Sequence, residues 1–169
     1  MPDPARIAVL TISDGVAAGT RTDTSGDVLE QWIVARGSIV AARLVVADDS
    51  DAIVRALLGL ADTGSADVIL TTGGTGLTER DVTPEATRVV VQRDAPGISE
   101  RIRQVGSVAT PYAVLSRGVA GVRGRTLIIN LPGSTGGVRD GLRVLDDLID
   151  HAVQLLRGHD TQRHDAPAR

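Results

Sequence analysis

Residues 71–87, TTGGTGLTERDVTPEAT, gather the groups best suited to holding a phosphate. Glycines placed directly after an apolar run let backbone N–H groups turn toward an anion with no Cβ in the way, which makes a nest for phosphate. Arg80 and Asp81 follow within five residues and add a cation and a carboxylate beside that nest. Read alone, Gly73-Gly74-Thr75-Gly76 would serve equally as a tight strand-to-helix turn with no ligand. It is not a dinucleotide fingerprint: GGTGLT does not spell G-x-G-x-x-G, and no helical pattern opens directly after it.

Carboxylates form the second candidate set. Asp48 closes an apolar run and opens Asp48-Asp49-Ser50-Asp51, a cluster that could simply cap a helix. Asp81 could likewise be a turn residue. Placed together at the carboxyl ends of strands, however, the two could hold Mg²⁺, which takes oxygen ligands and bridges to substrate phosphates. Two further segments, Leu115-Ser116-Arg117-Gly118 and Asn130-Leu131-Pro132-Gly133-Ser134, set hydroxyl, amide or guanidinium groups beside glycine. Such groups suit a polar heterocycle with its phosphate, although turn chemistry explains each tetrapeptide alone. His151 has no His or carboxylate motif around it and reads as a surface or interface residue.

Composition removes most other chemistries. The 169 residues contain no Cys, which excludes thiolate catalysis, iron–sulfur clusters, Cys-ligated zinc and disulfides. All 18 basic residues are Arg, so Schiff-base chemistry and the Lys-terminated Walker loop are excluded too. The three His residues, His151, His159 and His164, crowd toward the C-terminus. Aromatics are limited to Trp32 and Tyr112, too few for base-stacking platforms. A net charge of -3 supplies no general basic surface for nucleic acid or membrane. No apolar run is long enough to cross a bilayer, and the N-terminus lacks the order of a signal peptide, so a cytoplasmic location is expected.

The elements that must position these groups alternate. Strands are expected at residues 6–12, 39–46 and 67–72, each apolar and β-branched. Helices are expected near residues 27–36, closed by Gly37, and over the stretch carrying Ile53, Leu57, Leu58 and Ala61. Two shorter helices are expected over residues 85–92 and 98–104, separated by Pro96-Gly97. Residues 118–122 and 126–130 flank Arg123-Gly124-Arg125 as a hairpin that adds one antiparallel strand. One long final helix is expected to carry Val138, Leu142, Leu145, Ile149, Ala152 and Leu156, with a polar, disordered tail from Gly158. The whole chain thus reads as a single α/β domain, three-layer α/β/α, with a mostly parallel central sheet. In such folds ligands bind outside the carboxyl ends of the strands, where the loops at 13–26, 73–81 and 132–137 should converge.

At this point the long motifs resemble a known family. TISDGVAAGTRTDTSG, TTGGTGLTERDVTPEAT and SRGVAGVRGRTLIINLPGS together look like the molybdenum-cofactor biosynthesis domain of the Mog/MoaB type, over about residues 6–157. The same segments are similar to the molybdopterin-adenylylating domains of animal gephyrin and its plant counterparts. The resemblance implies an α/β/α domain, commonly a homotrimer, that binds molybdopterin and transfers AMP to it from Mg-ATP, with no organic prosthetic group. It implies catalytic, metal-holding roles for Asp48 and Asp81. By the same resemblance Thr72, Gly73, Gly74, Thr75 and Gly76 form the pterin-phosphate loop, and Ser116 contacts the pterin. Ser13 and Asp14 match the family's first Ser-Asp, and Asn130, Pro132, Gly133 and Ser134 fall in and beside its Asn-Leu-Pro-Gly loop. Ala47 stands where the family often has Pro, and Asp48 rather than Asp49 is the matching acid. In this reading Arg80 or Arg117 could neutralise developing charge. A non-catalytic molybdopterin-binding module and a nucleotide pyrophosphatase are the competing readings.

Overall fold

The computed structural model describes residues 3–158. Apart from Gly158, the tail expected to be disordered lies outside them, as do two of the histidines, His159 and His164. Strand β1 (Arg6–Ile12) leads through a loop with one helical turn, α1 (Asp14–Ala17), to helix α2 (Thr24–Ala35) and strand β2 (Ile39–Val46). Helix α3 (Ser50–Asp62), strand β3 (Val68–Thr72) and helix α4 (Thr83–Val90) follow. Next come the short strand β4 (Arg93–Asp94), helix α5 (Pro96–Ala109) and a 3₁₀ turn at Pro111–Leu115. Strands β5 (Ala120–Arg123) and β6 (Thr126–Leu131), then helices α6 (Thr135–Asp146) and α7 (Ile149–Leu156), complete the order.

The six strands form one sheet in the order β2-β1-β3-β6-β5-β4. The first four are mutually parallel, and β5 turns back antiparallel to both neighbours. Every residue of β3 and β6 is buried. Their side chains alternate between two cores, as a strand covered on both faces requires. Val68 and Leu70 join α2, α5, α6 and α7 on one face, while Ile69 joins α3 and α4 on the other. That alternation makes the three layers. Among the described residues no helix is long and apolar enough to cross a membrane.

Several element boundaries differ from expectation for local reasons. The expected single C-terminal helix is two helices: the amide of Leu148 donates to the Leu145 carbonyl, a tight three-residue step that ends α6. Ile149 and Val153 thereby return to the same core as Val138 and Leu145. Pro96 does not separate two helices but occupies the first turn of α5, where its missing N–H costs nothing. Helix α2 starts three residues earlier than the apolar spacing suggested, because Asp23 caps it at the amide of Gly26 (3.0 Å). β4 was not expected at all; its two residues pair with Val122 and Gly121 but are too few to show a pattern.

Candidate active site

The register of the parallel strands fixes where the functional loops meet. Ile12 pairs with Val46, Thr11 with Thr72, and Thr72 with Leu131, so all four strands end at one edge. The loops after them, 13–23, 47–49, 73–82 and 132–134, therefore converge there, at the carboxyl ends of the strands.

The glycine loop is shaped by its neighbours. Gly73 and Gly74 sit at φ +102 and +65, the left-handed region that a branched side chain disfavours. A Cβ at Gly73 would lie 2.1 Å from the Ile12 carbonyl oxygen. One at Gly74 would lie 2.3 Å from Thr83 Oγ1 and 3.1 Å from Asp48 Oδ1. One at Gly76 would lie 2.9 Å from Asp81 Oδ2. The two carboxylates thus flank the bare backbone of the turn. Thr83 Oγ1 donates to the Gly73 carbonyl (2.9 Å) and Thr72 Oγ1 to the Pro132 carbonyl (2.7 Å), pinning the loop to α4 and to the loop after β6.

Asp48 and Asp14 hold each other crosswise. The Asp14 amide donates to Asp48 Oδ2 (2.9 Å), and the Asp48 amide donates to Asp14 Oδ1 (3.0 Å). Arg80 closes the outer side of Asp14 through Nε and Nη2 at 3.0 and 2.8 Å, which holds the Asp14 carboxyl below its usual range. Asp48 moves the other way: burial and the charges of Asp14 and Asp81 push its pKa up, against the Asp14 amide and Arg80. For Asp81 burial pushes upward, but the Thr78 hydroxyl (2.7 Å) and amide (2.9 Å) outweigh it and hold the group low. Asp49, the alternative acid, is occupied elsewhere, capping α3 at the amide of Ala52 (2.8 Å).

Two cavities meet at this edge. The larger, about 520 Å³, is bordered by Thr75, Gly76, Ser116 and Pro132. The smaller, about 380 Å³, is bordered by Ser13, Asp23, Asp48, Thr72 and Gly73. Gly74, Asp81, Gly133 and Ser134 border both, so the glycine turn and one carboxylate stand at their junction. Ser13 and Ser134 each cap a helix, at the amides of Val16 (3.3 Å) and Gly137 (3.1 Å). The latter places the amino end of the twelve-residue α6 beside both cavities, an arrangement that favours anions.

Not every expected residue faces these spaces. Asn130 is buried behind them: its Nδ2 donates to the hydroxyls of Thr71 and Thr87, both at 3.0 Å, and its Oδ1 accepts from the Val119 amide (3.1 Å). With no donor left over, its place is to lock β6 to α4. Arg117 is also internal in purpose. It donates to the carbonyls of Gly76 (2.8 Å) and Asp81 (2.6 Å) and pairs with Glu85, bracing the loop between the two shared walls. Thr83 and Thr87 were not singled out in the sequence, since a Thr before or after Pro84 carries no pattern of its own. His151 lies exposed on α7.

Fold and site together define an α/β/α domain with a glycine turn, two acids and paired cavities at one sheet edge. The chain belongs to the family described as probable molybdopterin binding domains, whose pattern matches residues 8–151. It is 38% identical over 157 residues to a molybdopterin adenylyltransferase of Helicobacter pylori strain J99, covering 90% of this chain and 88% of that protein. It is 42% identical over 151 residues to the molybdenum cofactor synthesis protein cinnamon of Drosophila melanogaster. That match covers 88% of this chain but only 25% of the fly protein's length. Among solved structures it is similar to the molybdopterin biosynthesis enzyme MoaB of Thermus thermophilus, with a TM-score of 0.86 and 46% identity, covering 91% and 97% of the two chains.

Proposed function

We propose that this protein transfers AMP from ATP to molybdopterin in the cytoplasm, where ATP is abundant, and releases pyrophosphate. The observation that carries the reading is the junction: two cavities share a glycine turn flanked by Asp48 and Asp81. Two substrates with phosphates to join need that layout. The relatives named for the same transfer, at 38% and 34% identity, support it.

A terminal phosphate oxygen of molybdopterin attacks the α-phosphorus of ATP in line. One O–P bond forms as the bond to the pyrophosphate oxygen breaks, and the electron pair leaves with pyrophosphate. Such a step depends on positioning and charge neutralisation more than on covalent help. The amides of the glycine turn and the amino end of α6 would orient the phosphates. Asp48 and Asp81 are hard oxygen donors beside that turn, the donor type Mg²⁺ takes. They would hold that ion together with substrate oxygens, and its charge would offset that of the triphosphate. The raised pKa of Asp48 fits this role, since a carboxylate disfavoured by burial and by the charges of Asp14 and Asp81 gains from a cation.

Pyrophosphate release from ATP, measured with and without molybdopterin, tests the reading. Release that depends on molybdopterin is expected. Release from ATP alone would make the protein a pyrophosphatase, and no release in either case would make it a binding module. The nest has its own test. Gly74→Val should lower molybdopterin affinity at least about tenfold, because the side chain would strain a left-handed residue and press on Thr83 and Asp48. Unchanged affinity in a folded variant would remove the nest. Assembly as a homotrimer accords with the exposed apolar residues Val108, Tyr112 and Val114. Light scattering should then give three times 17.6 kDa, and a monomer mass would refute it.

A further inference from the structure

Beside the larger cavity lies another of about 690 Å³, and the two share Arg103 and Ser116 along their common wall. It is bordered by Arg88, Arg103 and Arg117, against one acid, Asp94. Helix α5, fourteen residues long, begins on it at Pro96 with no side-chain cap and no acid in its first turn. Pro96 carries no N–H and the Ile98 amide donates to the Ala95 carbonyl (3.3 Å), which leaves the Gly97 amide without a partner among the described residues at the positive end of the helix. One turn in, Ser99 also borders the cavity. The residue is only 4% exposed, and its hydroxyl is buried with no hydrogen-bond partner. A buried hydroxyl left unmatched costs free energy and calls for an acceptor.

Ser99 and Arg103, four residues apart, share one face of α5. Arg103 spends Nη1 on the carbonyls of Gly118 (2.9 Å) and Ser116 (3.3 Å), and no bond from its Nε or Nη2 is made among the described residues. Arg88 reaches only 3.7 Å from Glu85, beyond a good hydrogen bond. Arg117 is fully engaged by Gly76, Asp81 and Glu85 and adds charge rather than donors. The open donors are thus a hydroxyl and two guanidinium groups on one cavity, with the unpartnered Gly97 amide next to it at the start of α5.

We propose that this cavity binds a phosphate-class oxyanion, free or carried by a small molecule, at the amino end of α5. The site is separate from the glycine turn, and the inference stands apart from the adenylyl-transfer reading. Ser99 donates to the anion, Arg88 and Arg103 neutralise it, and the Gly97 amide completes its shell. The cavity's size falls within the range of small-molecule sites, so a phosphomonoester also has room.

The test is a titration of the full chain with inorganic phosphate, followed by the backbone amide NMR signals. The amides of Gly97, Ile98 and Ser99 should move and saturate, separately from those of Gly73–Gly76. Arg88→Gln and Ser99→Ala should each weaken that saturation about tenfold while the glycine-loop signals titrate as before. AMP in a parallel titration separates the two sources: tighter saturation at α5 assigns a phosphomonoester, and weaker saturation assigns the free ion. Signals that move only at Gly73–Gly76 would overturn the proposal. So would a Ser99→Ala protein that merely melts higher and titrates unchanged, the behaviour of an unmatched hydroxyl with no ligand.

Discussion

At the amino edge of the sheet Asp67 faces two arginines, whereas at the carboxyl edge Asp48 faces two other carboxylates. Asp67 takes the amide, Nε and Nη2 of Arg6 at 2.8, 3.2 and 3.0 Å and Nη2 of Arg157 at 2.7 Å. Burial alone would raise its pKa, but these donors outweigh burial and bring it down to about 2. Arg157 also donates to the carbonyls of Asp3 and Pro4, so one acid ties together β1, β3, the end of α7 and the start of the chain. Among the described residues Asp48 has only the Asp14 amide as a direct donor, and burial together with the charges of Asp14 and Asp81 outweighs that amide and the more distant Arg80, so its pKa is raised. One edge spends its carboxylate on holding the fold together. The other keeps its carboxylate in an environment that disfavours its charge, the kind of perturbed group that clusters at functional sites.

The largest expected effect breaks the comparison at Asp48. Asp48→Asn keeps the shape and can still accept from the Asp14 amide, so the fold should hold. Turnover of ATP with molybdopterin should fall by about two orders of magnitude or more, the scale of losing a few kcal/mol of transition-state stabilisation. Because the folded chain disfavours the ionised form of Asp48, the melting temperature at neutral pH should hold or rise. A variant that melts lower and keeps its turnover would make Asp48 a structural residue. Asp81→Asn should lose turnover to a similar extent.

Asp67→Asn should show the reverse pattern. It leaves Arg6 and Arg157 without their shared partner and should cost about 2–3 kcal/mol, with turnover per folded molecule unchanged. In this chain that corresponds to a fall in melting temperature of roughly 5–10 °C.

The same contrast has a pH signature. The folded pKa of Asp67 is depressed to about 2, below its unfolded value of about 3.9. Its contribution, on the order of 2 kcal/mol, is therefore present above about pH 4 and lost as pH falls through about 2. Asp48 has the opposite sign: its raised folded pKa favours the fold below the unfolded value and ceases to do so as pH rises through the folded one. Denaturant midpoints measured from neutral pH down to about pH 2 should show an acid limb that Asp67→Asn flattens and Asp48→Asn leaves in place. A limb unaffected by Asp67→Asn would assign it to other carboxylates.

The two edges were not equally legible in the sequence. The convergence at the carboxyl edge was legible, since Gly73-Gly74-Thr75-Gly76, Arg80-Asp81 and Asp48 follow apolar runs that read as parallel strands, and parallel strands bring the loops after them to one edge. The strands were legible too: β1 and β2 fall at their expected limits, because a β-branched run between turn residues leaves little choice. The amino-edge clasp left no signal, as Arg6, Asp67 and Arg157 are 61 and 90 residues apart and meet only in the folded chain. Asn130 misled for a related reason. Its motif marks a loop correctly, but the side chain points into β6's contact with α4, which only the register decides. The break between α6 and α7 was hidden because Val138, Leu145, Ile149 and Val153 keep helical spacing across it.

The smallest effect discriminates between adjacent acids. Asp49 differs from Asp48 by one position, and extended backbone at Asp49 (φ -131, ψ 124) sends the two side chains to different work. Asp49 Oδ1 accepts from the Ala52 amide and satisfies one of the first free donors of α3, a helix whose Ile53 and Leu57 are fully buried against the sheet. Asp49→Ala should therefore cost about 1 kcal/mol, a few degrees of melting temperature, and leave turnover per folded molecule unchanged. Asp49→Ser, which restores an N-cap oxygen without a charge, should recover most of that loss. If Asp49→Ala instead abolished turnover while Asp48→Asn preserved it, the acid at the glycine turn would be the second residue of the pair. The crosswise hydrogen bonds between Asp14 and Asp48 would then be no more than a brace for the loop.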